Sequence, residues 1–180
     1  MLRAEFERDL MATAGRTLLI LWVGMVGTPL VLNLVAVLAP VEGIFAGAAP
    51  PSLVMDILYG LAVAAGLASI LLRSLLLVPE RLVAGSPTAG SVAMGTGGST
   101  AGDPAEQRAI GLLARFISRL LPGWALADTV AVLGFAATVL TGEAVHVRWL
   151  GGLALALLLL VHRPSTGPLQ EALELLKRGA

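Results

Sequence analysis

The stretch ALADTVAVLGFAATVL, residues 125–140, is apolar enough to cross a bilayer, yet it holds one carboxylate, Asp128. Whether it is a membrane span or a buried core helix is decided by the rest of the chain. Of the 180 residues, 57% are apolar and 13% charged, against roughly a quarter charged in soluble domains. Leu, Val, Ala and Gly arrive in blocks rather than in short amphipathic periods. Such a chain cannot cover its surface with polar groups, so lipid is its expected solvent. The formal net charge is zero, which offers no footing for nucleic acid. The absence of cysteine excludes disulfides, thiolate metal sites, iron–sulfur ligation and c-type haem.

Four apolar blocks approach the ~20 residues that a helical span needs: Thr17 to Ala39, Leu53 to Leu77, Gly123 to Leu140, and Val147 to Val161. The fourth is the shortest and needs its flanks to reach the interface. The small residues FAGAA (45–49) after the first block resemble a signal-peptide cleavage site. Its apolar run is longer than a signal core, however, and Glu5, Glu7 and Asp9 crowd the basic region before it, so it reads as a retained span. The expected fold is all-α, an integral membrane four-helix protein with short amphipathic surface helices. Basic residues set the orientation. Arg3, Arg8 and Arg16 precede the first block; Arg73, Arg81, Arg108, Arg115 and Arg119 lie between the second and third; Arg163, Lys177 and Arg178 follow the fourth. Only Arg148 falls on the other side, eleven against one. Both termini and the long connection are therefore expected in the cytoplasm, and the location is a bacterial-type inner membrane.

Outside the spans the chain divides into an N-terminal interfacial helix (1–16), a first transmembrane hairpin (17–78), a linker with a basic helix (79–122), a second hairpin (123–163) and a C-terminal amphipathic helix (164–180). Leu2, Phe6 and Leu10 form one stripe of the first segment, which suits a helix in the interface. AGSPTAGSVAMGTGGSTAGDP (84–104) is a Gly/Ser/Thr linker; its GTGGST lacks the Lys of a phosphate loop and a strand before it. Asp103, Pro104 and Glu106 supply an N-cap, a first-turn proline and a capping-box acid. Ile110, Leu113, Ile117 and Leu120 then make an apolar stripe, with Arg108, Arg115 and Arg119 on another face placed to meet anionic lipid. PG at 122–123 is expected to end this helix. In the tail, Leu169, Leu173 and Leu176 face one way and Glu174 can pair with Arg178.

Asp128 lies nine residues past Arg119 and fourteen before Gly142, close to the bilayer midplane. An ionised carboxylate there costs at least ~2.5 kcal/mol, which favours a protonated acid or a bound ion. Two readings stay open: an acid that binds and releases a proton or Na⁺, or a neutral acid hydrogen-bonded to Asn33, Thr129 or Ser69. Asp56, near the outer end of the second block, reads as interfacial and solvated. GLAVAAGLA (60–68) places small residues at Gly60, Ala62, Ala64, Gly66 and Ala68. Such spacing lets helix backbones approach closely in lipid, within the chain or between copies.

The small-residue alternation, the basic connection and ALADTVAVLGF together resemble the helical hairpin of the rotary ATPase ring subunit, subunit c and its proteolipid relatives. Ala125, Leu126, Asp128, Ala131 and Gly134 occupy the positions of that family's Ala-Leu-x-acid-x-x-Ala-x-x-Gly pattern, and the resemblance covers roughly residues 56–140. It implies that Asp128 is the ion-carrying acid and that Gly134 lies in a helix contact. The departures are a connection of some thirty residues where the family has a few, extra spans on both sides, and no second acid in GGLALALLLLVH. These argue against a conventional rotor subunit.

No enzyme reading emerges. His146 and His162 stand at opposite ends of the fourth block and read as interfacial side chains, and no catalytic or metal-binding set shares one depth. Glu143 and His146 can meet on the outer surface. Pro29 and Asn33 mark a kink and an interhelical hydrogen bond. No cofactor is expected. The partners expected are the lipid bilayer and either copies of the same chain or the other subunits of a membrane complex. The leading expectation is a structural or accessory subunit, the alternative an ion-binding subunit using Asp128.

Overall fold

The computed structural model describes residues 3–38, 43, 51–84 and 103–178. Among them the chain is all helix: α1 (Ala4–Leu38), α2 (Ser52–Leu76), α3 (Pro79–Ala84), α4 (Pro104–Thr141), α5 (Val145–Ala156), a π-helical turn (Leu157–Val161) and α6 (Gly167–Arg178). Three of these, α1, α2 and α4, are long and apolar enough to cross a membrane. The 25 residues of α2 rise about 37 Å at 1.5 Å each, more than the ~30 Å hydrocarbon core. Val145–Val161 is shorter and would rise only about 25 Å. Residues 85–102 of the Gly/Ser linker, and FAGAA, fall outside the described residues.

Two expected boundaries are absent. The N-terminal segment and the first apolar block form one helix, and α4 runs through Pro122 without ending. A proline removes one backbone donor, here the one that would reach the Ser118 carbonyl, but its φ is already helical. In a long helix with well-satisfied turns on both sides, losing that one bond does not end the helix.

The chain forms two compact units. The first comprises Met1–Leu19, Ser74–Leu121 and Pro164–Ala180. Its buried apolar residues come from four segments: Leu10, Ala14 and Leu18; Leu82; Ala109, Leu112, Phe116 and Leu120; Leu169, Ala172 and Leu173. The apolar stripes expected to lie on headgroups thus supply a shared helical core. The buried stripe of α4 is rotated from the expected one, for Ile110 is exposed and Leu113 and Ile117 only half-buried. Asp103 caps α4 through its Oδ1, which accepts the Ala105 N–H at 2.9 Å. The Glu106 carboxylate does not complete the expected box: it accepts Arg3 Nε at 2.9 Å and Nη2 at 2.7 Å. Lys177 donates to both oxygens of Glu7 at 2.8 Å and to Glu174 at 3.1 Å, so Glu174 pairs one residue earlier than expected. These two carboxylates hold the Lys177 ammonium above its ordinary range.

The second unit comprises Ile20–Arg73 and Pro122–Arg163. Here α4 is the most enclosed helix, with Trp124, Ala127, Val130, Ala131 and Ala137 fully buried. On α2 the buried face is Ala62, Ala65, Gly66 and Ser69; Leu53, Ile57, Leu61, Leu67 and Leu71 are exposed. The turn between α4 and α5 is built on Gly142, whose φ of 78° is left-handed and favours glycine. Buried Thr138 serves both helices. Its hydroxyl donates to the Glu143 carbonyl and accepts the Val147 N–H, each at 3.1 Å, and so supplies the cap α5 lacks at its own N-terminus. Gly43 crosses this turn backbone to backbone, so close that a Cβ would overlap Thr141 and Gly142.

Candidate functional site

Asp128 projects from α4 within the second unit and is half-buried. The Thr28 side chain on α1 stands near its carboxyl, while Oδ1 is buried with no hydrogen-bond partner among the described residues. The three partners expected for it are engaged elsewhere. Thr129 Oγ1 donates back to the Ala125 carbonyl at 2.8 Å, Ser69 pairs with His162, and Asn33 Nδ2 donates to the Pro29 carbonyl at 2.8 Å. The last bond lies within α1 rather than between helices. Sequence reasoning missed Thr28; its one signal was a hydroxyl at mid-span beside a proline.

Small residues determine how closely the helices approach. Gly134 is buried: a Cβ on it would stand 2.7 Å from Leu150 Cβ, 3.1 Å from the His146 carbonyl oxygen and 3.2 Å from Val147 Cα. On α2, Ala62 and Gly66 are buried, Ala68 is half-buried, and Gly60 and Ala64 are exposed. Gly60 has nothing within 4 Å of where its Cβ would be. At ~100° per residue Gly60 and Ala64 lie opposite the buried face, alongside Leu67 and Leu71.

The two histidines are not bare interfacial side chains. His146 Nδ1 meets the Tyr59 hydroxyl at 2.7 Å, the two rings stand edge to face, and Nε2 lies 3.8 Å from the exposed Glu143 carboxylate. At the other end the π-helical turn closes with the His162 N–H bonded to the Leu157 carbonyl at 2.8 Å. Trp22 Nε1 donates to the Leu158 carbonyl of the same turn at 2.9 Å, satisfying a group every helix end leaves open. His162 is 1% exposed and shares a hydrogen bond with Ser69 Oγ through Nε2. Burial first, and the Arg73 guanidinium second, push this imidazole down to about 4. A π turn widens the helix by one residue per bond, which re-aims His162 in a way no apolar pattern reveals.

Of the arginines expected to meet anionic lipid, Arg108 is exposed and Arg115 and Arg119 are half-buried. Arg115 donates to the Leu82 carbonyl at 3.2 Å and Arg119 to the Leu76 carbonyl at 3.5 Å. With Arg81, which reaches the Leu75 carbonyl at 3.2 Å, they close the C-terminal ends of α2 and α3, where cations are favoured. Burial, with Arg119 adding to it, lowers Arg115 from its ordinary value. Asp56 is exposed. Among the described residues no group of three or more His, Asp or Glu side chains is placed to hold a metal. Comparison with protein-family models, curated proteins and solved structures finds no match.

Proposed function

We propose that this chain is a small polytopic protein of a bacterial-type inner membrane, with both termini in the cytoplasm, acting as a structural or accessory subunit through helix–helix packing. The observation that carries this reading is the double use of small residues on α2. One face of the helix spends Ala62, Ala65 and Gly66 on contacts inside the chain, and the opposite face leaves Gly60 and Ala64 uncovered. In lipid, an exposed small-xxx-small pair is where a second helix can come closest. Val145–Val161 serves in this reading as a fourth, short span whose flanks reach the interface. Replacing Gly60 and Ala64 by Leu is expected to abolish association on native gels while leaving the monomer folded. Unchanged association would remove the basis of the proposal.

A second reading rests on Asp128. A carboxyl with a buried, unpartnered oxygen and Thr28 nearby suits a carrier of a proton or Na⁺, in line with the resemblance to the ring-subunit hairpin. Labelling by a hydrophobic carbodiimide that Na⁺ or rising pH blocks supports ion handling. Absence of labelling across pH supports a sealed structural contact.

A further inference from the structure

The corner formed by the end of α2 and the chain just past the π turn holds more positive and donor groups than the protein itself satisfies. Ser69 and Arg73 lie one helical turn apart on the same side of α2. Ser69 Oγ engages His162 Nε2, and Arg73 Nη2 reaches the Arg163 carbonyl at 3.4 Å. Gly123 of α4 closes the corner from a third side: a Cβ there would stand 3.1 Å from His162 Cε1 and 3.6 Å from the Ser69 carbonyl oxygen. The Ser69 hydroxyl can donate to Nε2, and the His162 proton then sits on Nδ1. That atom and Arg73 Nη1 are both buried, and neither has a partner among the described residues. Nor does any Asp or Glu of the described residues form an ion pair with Arg73.

A buried guanidinium nitrogen without a counter-charge, beside a buried imidazole N–H, calls for an acceptor that carries negative charge. Arg73 is three residues from the end of α2, about 5 Å along its axis, which is headgroup depth rather than mid-bilayer. Phosphate oxygens fit this set: guanidinium groups bind them by paired N–H donors, and basic pockets between transmembrane helices take anionic headgroups. We propose that Arg73 and His162, oriented by Ser69 and the Arg163 carbonyl, form a phosphate-binding site. Its ligand is the phosphodiester of an anionic phospholipid or a free phosphate.

The test uses the full chain in detergent and native mass spectrometry, offering phosphatidylglycerol, phosphatidylcholine and, separately, inorganic phosphate. A lipid source predicts retention of one phosphatidylglycerol per chain at about tenfold preference, or ~1.4 kcal/mol. That preference disappears in Arg73→Gln and persists in Arg148→Gln, a change at an exposed arginine on the other end of the helices. Binding of inorganic phosphate with no lipid preference assigns the same site to a soluble ligand. If Arg73→Gln does not fold, His162→Gln takes its place and should lose the same preference. Wild-type protein that binds neither source, or phosphatidylglycerol retention unchanged in both Arg73→Gln and His162→Gln, overturns the proposal; the His162 proton then sits on Nε2 and its Nδ1 accepts from Arg73.

Discussion

Gly134→Ala measures how closely α4 and α5 depend on one missing methyl group. The added Cβ would meet Leu150 Cβ at 2.7 Å, with the His146 carbonyl oxygen and Val147 Cα at 3.1 and 3.2 Å. Carbon atoms prefer about 3.5–4.0 Å, so α5 must retreat by roughly 1 Å. None of the three atoms is the tip of a flexible side chain, so the strain cannot be relieved by a rotamer change. Overpacking of this kind costs about 1–3 kcal/mol, while Ala in place of Gly within a helix returns up to ~1 kcal/mol. The net expectation is a loss of about 1–2 kcal/mol. Two positions on α2 calibrate it. At Gly66 the new methyl finds Leu157 Cδ1 at 3.5 Å, an ordinary contact, and at Gly60 it finds nothing within 4 Å. Reversible unfolding in mixed micelles, read by helical circular dichroism, should therefore rank Gly60→Ala and Gly66→Ala near or above wild type and Gly134→Ala clearly below. Equal stability of all three variants would refute the claim that Gly134 sets the α4–α5 distance.

Three further expectations follow from named contacts. Gly151→Ala drives a methyl into Asn33 Nδ2 and should cost about 1 kcal/mol through the lost bond to the Pro29 carbonyl; in an Asn33→Ala background that cost should vanish, as a double-mutant cycle will show. Thr138→Val strands the Val147 N–H and the Glu143 carbonyl and should destabilise by about 1–3 kcal/mol, seen as faster hydrogen exchange at Val147. His162, held down to about 4 from an unfolded value near 6.5, binds its proton more readily when unfolded. Stability should hold above about pH 6.5 and fall as pH drops towards 4, and a pH series of unfolding midpoints should lose that slope in His162→Gln.

The long helices were legible because an apolar run of span length has few other solutions: α2 matches its expected block to within one residue at each end. The same pattern misplaced the boundary at Pro122, since a proline states which hydrogen bond is lost and not whether the neighbouring turns hold without it. The amphipathic segments were read as such, but hydrophobic periodicity does not say what covers the apolar face. Leu120 and Leu169 are covered by protein, where lipid was expected. The site was the least legible part. Asp128 was visible as a charge out of place, but Thr28, 100 residues away, had no pattern linking it to that acid. The Ser69–His162 bond depends on a π turn that five successive apolar residues, Leu157–Val161, do not announce.

The most direct test of the central claim is cysteine crosslinking along α2, which the natural absence of cysteine makes free of background. Single cysteines at Gly60 and Ala64 probe the uncovered small-residue face, and at Val63 and Ile70 the exposed flank beside it. In native membranes the account predicts crosslinked species, to a second copy or to another subunit, from Gly60→Cys and Ala64→Cys but not from the flank. Crosslinking that is absent from both, or equal at all four positions, would contradict it.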